Sequence, residues 1–456
     1  MPAIDLFNPA ILSKYNIQGP RYTSYPTALE FRSDVQDGDL ARAAENSTAT
    51  GLSLYIHIPF CHSMCFYCGC NKIVTRQQDK ADRYLDYLEK EIVLRSKLFR
   101  YRKVSQLHLG GGTPSFLTLA QQHRLMTVLQ KHFHFAAKTQ CSIEVDPRRI
   151  DKNYIKALYA LGYNRLSIGV QDTDYRVQAA INRVQSTAHI ADLAEQARNE
   201  GFNSINLDII YGLPHQTPET FTTTLAAVKA IAPERVSLFG YAHLPSKFAA
   251  QRKIKDVWLG DGAARTELMK LATQRLTRAG YRIIGMDHFA LQHDELAIAQ
   301  TNGTLHRNFQ GYTTRGDLDL LGLGVSSISS IANLYVQNPT DLSNYYGALD
   351  SASTLVSRGI ELTEDDQIRR TIITQLMCHL RADFSVLNSQ FGIRASDYFK
   401  QELISLQTFV DDGLVEVTAQ GIVVHPHARL LIRIICMTFD AYLQQSVQFH
   451  RYSKVI

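Results

Sequence analysis

The chain has 456 residues, 45% hydrophobic and 20% charged, which suits one large core plus a smaller second one and excludes a disordered polypeptide. Its net charge of +5 comes from 48 basic and 43 acidic residues without a basic tract interleaved with aromatics, so nucleic acid is not an expected partner while a small polyanion is. No apolar run approaches the ~20 residues of a membrane helix and the N-terminus lacks a leader pattern, so a cytoplasmic protein away from membranes is expected, in which a cluster of four of the 7 cysteines points to metal or redox chemistry rather than disulfides.

From residue 53 to about 243 a β-branched apolar run, a polar loop and a longer segment of helical period alternate six times. The strand candidates are SLYIHIPF (53–60), VSQLHLGG (104–111), CSIEVDP (141–147), RLSIGVQD (165–172), INLDIIYG (205–212) and RVSLFGYAH (235–243). Between them, segments such as 82–99, 119–133, 188–201 and 218–231 carry apolar residues three and four apart, as amphipathic helices do. Short connections between consecutive βα units predict a parallel sheet, with ligands at the C-terminal strand ends. A doubly wound sheet would show a Gly-x-Gly-x-x-Gly turn after its first strand. Cysteines stand there instead, so the expected fold is α/β, a partial (β/α)6 barrel.

Beyond Arg358, residues 362–380 and 396–413 read as helices, 414–426 as a hairpin and 428–445 as a closing helix. Helices plus a β-wing resemble a winged-helix module. Its basic residues do not gather on one helix, so a mostly helical, substrate-covering domain is the expectation. The expected division is 1–36, an N-terminal segment, 37–358, the catalytic domain, and 359–456, the C-terminal domain.

The strand ends carry the chemistry. Four cysteines follow the first, spaced Cys61-x3-Cys65-x2-Cys68-x-Cys70. Structural zinc draws on paired knuckles, and no second Cys or His pair at that spacing follows. Three thiolates from one loop can hold three irons of a [4Fe–4S] cube and leave the fourth open to a non-protein ligand. Gly110, Gly111, Gly112 and Thr113 end the second strand, either a tight turn or a point of close ligand approach. Glu144 and Asp208 at the third and fifth can accept hydrogen bonds from an ammonium or ribose hydroxyls, or cap the next helix. The pairs His132/His134 and His425/His427 lack a third ligand nearby and read as surface or packing residues.

The x3-x2 spacing after a first barrel strand resembles that of radical S-adenosylmethionine (SAM) enzymes. GPRYTSYPTALEF (19–31), YIHIPFCHSMCFYCGCNKIVTRQQ (55–78), HLGGGTP (108–114), DIIYGLPHQTPE (208–219) and LHRNFQGYTTRGD (305–317), with matches on to the terminal SKVI, are similar to oxygen-independent coproporphyrinogen III oxidases. The resemblance implies the radical SAM barrel and a reaction in which a 5′-deoxyadenosyl radical takes a hydrogen from a propionate. Loss of CO2 and an electron then leaves a vinyl group, and two propionates react in turn to give protoporphyrinogen IX. Cys61, Cys65 and Cys68 are the implied cluster ligands, and Cys70 is required without being one. Two SAM molecules are implied, one against Tyr55, Gly111, Glu144 and Ile328, the other against Tyr67, Gly112, Thr113, Gln171, Arg183, Asp208 and Ala242. Two positions depart from the family: Tyr67 stands for Phe and can still stack on adenine, and Gly240 stands for Asn and removes a side chain.

The resemblance also implies a low-potential electron donor such as flavodoxin or ferredoxin, and a monomer. Arg21, Lys253 and Arg307 are candidates for the porphyrinogen carboxylates. The segment GPRYTSYPT (19–27) is a poor helix whose Arg and Tyr residues are costly in a free tail, so it is expected to close over the site, Arg21 on a propionate and the tyrosines on the macrocycle. A haem-carrying relative of the same superfamily is the alternative; such proteins lack the fourth cysteine and the RYTSYP segment, both present here.

Overall fold

A computed structural model of the chain describes residues 6–351 and 353–445; the ends of the first and last expected domains, including SKVI, lie outside the described residues. Six strands, β1 (Gly51–Ile58), β2 (Lys103–Gly111), β3 (His134–Val145), β4 (Arg165–Gln171), β5 (Ser204–Tyr211) and β6 (Arg235–Gly240), run parallel in chain order. The sheet then extends at both edges. Antiparallel β7 (Tyr281–Gly285) and β8 (His288–Leu291) join beyond β6, while β9 (Leu318–Leu323) pairs parallel with β1 and leads to antiparallel β10 (Ile328–Ile331), β11 (Leu334–Gln337) and β12 (Arg358–Glu361). The order is β12-β11-β10-β9-β1-β2-β3-β4-β5-β6-β8-β7.

Each parallel strand has one apolar and one polar face, because successive side chains point to opposite sides. On β1, Leu52, Leu54, Ile56 and Ile58 are fully buried in the main core, whereas Ser53, Tyr55 and His57 face the other way. The helices Asp79–Ser96, Leu119–His132, Lys152–Ala160, Thr187–Glu200 and Pro218–Ile231 supply the other half of that core. Their starts are capped as their sequences require: Thr118 and Gln121 form a reciprocal capping box, and Asp151 and Ser186 accept from the first-turn amides.

A second core joins the C-terminal helix Glu364–His379 and a small sheet of Arg381–Asp383, Gly421–Val424 and Val415–Thr418. The segment expected as one helix over 396–413 is broken into Ala395–Tyr398, Lys400–Ser405 and Gln407–Asp411. Phe399 and Leu406, at the two breaks, and Phe409 all turn into this core. Phe7, Leu12, Tyr15, Tyr22 and Tyr25 belong to the same core, so the N-terminal segment packs with the C-terminal elements. The Tyr22 hydroxyl donates to Asp440 at 2.9 Å and the Tyr25 hydroxyl accepts from the Ala441 amide at 3.2 Å. His425 and His427 stack on each other, with His427 against the Gly413 carbonyl, as packing residues do. Among the described residues no helix is long and apolar enough to cross a membrane.

Candidate functional site

The polar faces of the parallel strands together line a cavity of about 320 Å³. Gln106 and His108 come from β2, Ser142 and Glu144 from β3, Ser167 from β4, Asn206 and Asp208 from β5, and Ser237 from β6. They are hydrogen-bonded to one another, as buried polar groups must be. His108 reaches Ser142 at 2.7 Å and Glu144 at 3.1 Å, and its ring stacks 5.8 Å from that of Tyr55. Asp208 accepts from Asn206 at 2.8 Å and from Ser167 at 3.3 Å. Burial, then the charge of Glu144, pushes the Asp208 carboxyl up to about 6. Beyond β6, His288 also faces the cavity; burial and then Arg307 push its imidazole down to about 3, so the ring is neutral.

The cysteine loop sits above this cavity, at the C-terminal ends of the strands. The short parallel pair Phe60–Cys61 and Ile73–Val74 closes its base, and the Phe66 amide donates to the Ile181 carbonyl at 3.0 Å, pinning it beside the segment after β4. All four thiols are free, Cys61 and Cys65 buried, Cys68 half-buried and Cys70 exposed. Donors surround the sulfurs. The Thr113 hydroxyl lies 3.2 Å from Cys61 Sγ, the Cys70 amide donates to Cys68 Sγ at 3.5 Å, and Arg148 and Arg183 each donate to Cys65 Sγ at 3.5 Å. The Cys70 thiol bonded to it draws the Cys68 thiol down to about 6, whereas burial pushes Cys61 up to about 11.

This donor set fits an iron–sulfur cube. Among the described residues no three His, Cys, Asp or Glu side chains converge as a single ion requires, and a cube takes each thiolate at a different iron. The surrounding hydrogen bonds and guanidiniums favour thiolates. Cys70 stands next to Cys68, outside the x3-x2 triplet.

Gly110, Gly111 and Gly112 are required first by the chain's own packing. A Cβ on Gly112 would lie 2.5 Å from the Pro59 carbonyl oxygen, and one on Gly111, at φ 120°, 2.7 Å from the His57 ring. Tyr55 lies in register with Gly322 of β9, and Ile328 crosses behind that glycine, its carbonyl oxygen 2.5 Å from where a Gly322 Cβ would stand. Tyr55, Gly111 and Glu144 therefore come from the neighbouring strands β1, β2 and β3, and Ile328 from β10, with β9 between it and β1.

The other expected contacts are spread along the sheet, Gly112 and Thr113 just past β2, Gln171 and Arg183 at and after β4, Asp208 in β5 and Ala242 after β6. Gln171 is held at φ 63°, and its buried Oε1 has no hydrogen-bond partner among the described residues; the same holds for Arg183 Nε. Both orphaned atoms suit a polar ligand beside Cys65. Arg183 donates to the Gly169 carbonyl at 2.8 Å and pairs with Asp146 at 3.4 Å. Burial alone would raise the Asp146 carboxyl, but Arg183 and Arg148 hold it at about 2. Gln251 donates to the carbonyls of Tyr67 at 2.9 Å and Ala242 at 3.1 Å, tying the cysteine loop to the segment after β6.

Sequence reasoning had assigned no role to Arg148, Gln251 or His288. Arg148 follows Asp146 at a strand end and Gln251 lies within AAQRKIKD, but nothing local tells which sulfur or carbonyl each reaches. Of the three carboxylate-binding candidates, Arg21 and Arg307 lie near each other, whereas Lys253 is exposed on the short helix Ala249–Lys253.

Comparison with known proteins gives a consistent result. The Radical SAM superfamily matches residues 55–228 and the HemN C-terminal domain matches 362–431. The oxygen-independent coproporphyrinogen III oxidase of Salmonella typhimurium is 53% identical over 447 residues, 98% of each chain. That of Escherichia coli is 52% identical over 447 residues, again 98% of each, and that of Pseudomonas aeruginosa 46% over 451 residues. A solved structure of the Escherichia coli coproporphyrinogen III oxidase, described as a radical SAM enzyme, superposes with a TM-score of 0.91 at 52% identity, covering 94% of this chain and 100% of that one.

Proposed function

The chain belongs to the oxygen-independent coproporphyrinogen III oxidase family, and we propose from that premise how its own residues divide the work. The reaction is oxidative decarboxylation of coproporphyrinogen III in haem biosynthesis, carried out by radical SAM chemistry. Two propionates become vinyl groups, each losing a hydrogen atom, CO2 and one electron. Nothing observed favours the haem-carrying alternative.

Cys61, Cys65 and Cys68 would hold a [4Fe–4S] cluster, which together with SAM would supply the low-potential electron and the 5′-deoxyadenosyl radical. The hydrogen bonds to these sulfurs from Thr113, the Cys70 amide, Arg148 and Arg183 hold the thiolates in place and spread their charge. Cys70 remains a thiol beside them. Tyr55, Gly111, Glu144 and Ile328 seat the first SAM. Tyr67, Gly112, Thr113, Gln171, Arg183, Asp208 and Ala242 seat a second, Asp208 accepting from ribose hydroxyls and Gln171 turning its orphaned oxygen to the ligand.

Residues 1–36 close the site, 37–358 carry the chemistry and 359–456 cover it, so that a radical is formed away from bulk water. Tyr22 and Tyr25 are engaged with Asp440 and Ala441, which leaves Arg21 to face the substrate. Flavodoxin or ferredoxin serves as donor to a cytoplasmic monomer working anaerobically, with no nucleic acid or membrane involved.

The observation that carries this reading is a loop of three closely spaced thiols, one of them held by Arg183, at the strand ends beside the orphaned Gln171 oxygen and Arg183 Nε. Anaerobic protein given SAM, a reductant and coproporphyrinogen III should yield protoporphyrinogen, read as protoporphyrin fluorescence after oxidation, with one 5′-deoxyadenosine per CO2. A protein loaded with about four iron and four sulfide per chain that forms no vinyl product would overturn it.

A further inference from the structure

Coproporphyrinogen III carries four propionates, and at each turnover one reacts while the others need partners. Three arginines distant in sequence meet where the N-terminal segment crosses the ends of β5 and β6. Arg21 donates to Asp287, in the turn between β7 and β8, at 3.1 Å. Arg433 is buried and donates to the carbonyl of Pro20 at 2.8 Å and to that of Gly19. Arg307 donates through Nε to the Tyr22 carbonyl at 3.2 Å and lies 4.6 Å over the Tyr312 ring. Its Nη1 is buried with no hydrogen-bond partner among the described residues.

Positive charge accumulates here. Burial, then the nearby charge of Arg21, brings the Arg433 guanidinium down to about 10, an effect that Asp287 does not cancel. Arg265 adds a fourth cation nearby, against Gly212 just past β5. Tyr312 and His288 belong both to this neighbourhood and to the wall of the polar cavity, so an anion held by the arginines adjoins the cavity and the cysteine rim.

We propose that Arg21 and Arg307 form a clamp for the propionate carboxylates that are not reacting, with Arg433 as a positioning residue that fixes Gly19 and Pro20 and hence Arg21. The proposal rests on the reading that a porphyrinogen tetracarboxylate is the substrate. Planar guanidiniums suit the task, because they bind carboxylates through paired, charge-assisted hydrogen bonds. Asp287 occupies Arg21 until the substrate arrives. The two propionates that never react are kept in the product, so the clamp holds the macrocycle through both decarboxylations.

Stable oxidised porphyrins test the clamp by fluorescence titration of the anaerobic holoprotein. The wild-type protein should bind both coproporphyrin III, with four carboxylates, and protoporphyrin IX, which keeps the two that the clamp holds. Arg307→Met and Arg21→Met should each weaken coproporphyrin binding at least about tenfold, as loss of a charge-assisted pair does, and raise KM for coproporphyrinogen. Iron content and substrate-free SAM cleavage should stay at the wild-type level, and Arg307→Lys should recover part of the loss. Asp287→Asn should tighten coproporphyrin binding, an effect that a merely structural ion pair would not produce. The clamp is refuted by unchanged affinity and KM in iron-replete Arg307→Met, or by weakened binding in folded Asp287→Asn. If the wild-type protein turns substrate over while these variants behave like it, only the clamp fails; if the wild-type protein forms no vinyl product, the substrate reading fails instead.

Discussion

The thiols of Cys61, Cys65 and Cys68 reach the rim from one short loop, whereas the guanidiniums of Arg21, Arg307 and Arg433 reach it from three distant parts of the chain. The loop is held by its own short strand pair and by the β4 connection, and its spacing is covalently set. The arginines meet only because residues 7–25 pack into the C-terminal core and Arg433 grips Gly19 and Pro20. The two halves should therefore fail differently: the first through loss of a single atom, the second through loss of packing far from it.

The largest expected effect is at the loop. Cys65→Ala should remove one of three iron ligands, and iron, brown absorbance and activity should all fall below detection; Cys70→Ser, outside the triplet, should keep its iron and lose only decarboxylation. An active Cys65→Ala protein would break the proposed assignment of the first half.

Next comes the assembled half. Deleting residues 1–27 removes Arg21 together with Phe7, Leu12, Tyr15, Tyr22 and Tyr25 from the second core. Vinyl formation should drop at least about tenfold and SAM cleavage should become uncoupled from CO2 release, as in an opened site. Iron content should stay near normal. Equal rates in the truncated and full-length proteins would show that the segment does not close the site.

A smaller effect separates the cavity floor from both halves. Asp208 has its carboxyl raised from 3.8 to about 6, so the folded chain holds this proton more tightly than the unfolded one. Its contribution to stability is accordingly lost as pH rises from about 4 to about 6. Above that window the ionised group can accept ribose hydroxyls. SAM affinity measured by equilibrium dialysis should rise between pH 5 and 7, and Asp208→Asn should flatten that rise and make melting less pH-dependent across the acid window. A slope unchanged in the variant would assign the titration to another group.

The smallest effect sharpens the packing argument. Tyr22→Phe deletes one buried hydroxyl bonded to Asp440 and should cost ~1–3 kcal/mol in denaturant unfolding, with the cluster spectrum unchanged. A larger loss of activity than of stability would mean that Tyr22 also places Arg307, which donates to its carbonyl.

Much of the barrel was legible because period-2 and period-3.6 patterns are local. Leu52, Leu54, Ile56 and Ile58 alternate with Ser53, Tyr55 and His57, and this alternation both marks the strand and separates the helix side from the cavity side. The edge strands β7, β8 and β10–β12 were less legible, being antiparallel strands of only four or five residues outside the βα alternation. The helix expected over 396–413 is three short helices in the structure, although Phe399, Leu406 and Phe409 keep the buried face that the period predicts.

At the site, the sequence alone determined the thiol triplet: three sulfurs within eight residues have few ways to be arranged, so the spacing itself limits the chemistry. It also placed Glu144 and Gln171 at strand ends, because strand ends follow from alternation, whereas Asp208, expected at one, lies inside β5. Only the tertiary structure decided that Arg148 and Arg183 meet at Cys65, that Gln251 ties Tyr67 to Ala242, and that Arg21, Arg307 and Arg433 share one field. Those contacts cross the chain, and a long flexible side chain carries no local mark of its partner; the packing of the elements on either side brings the two together.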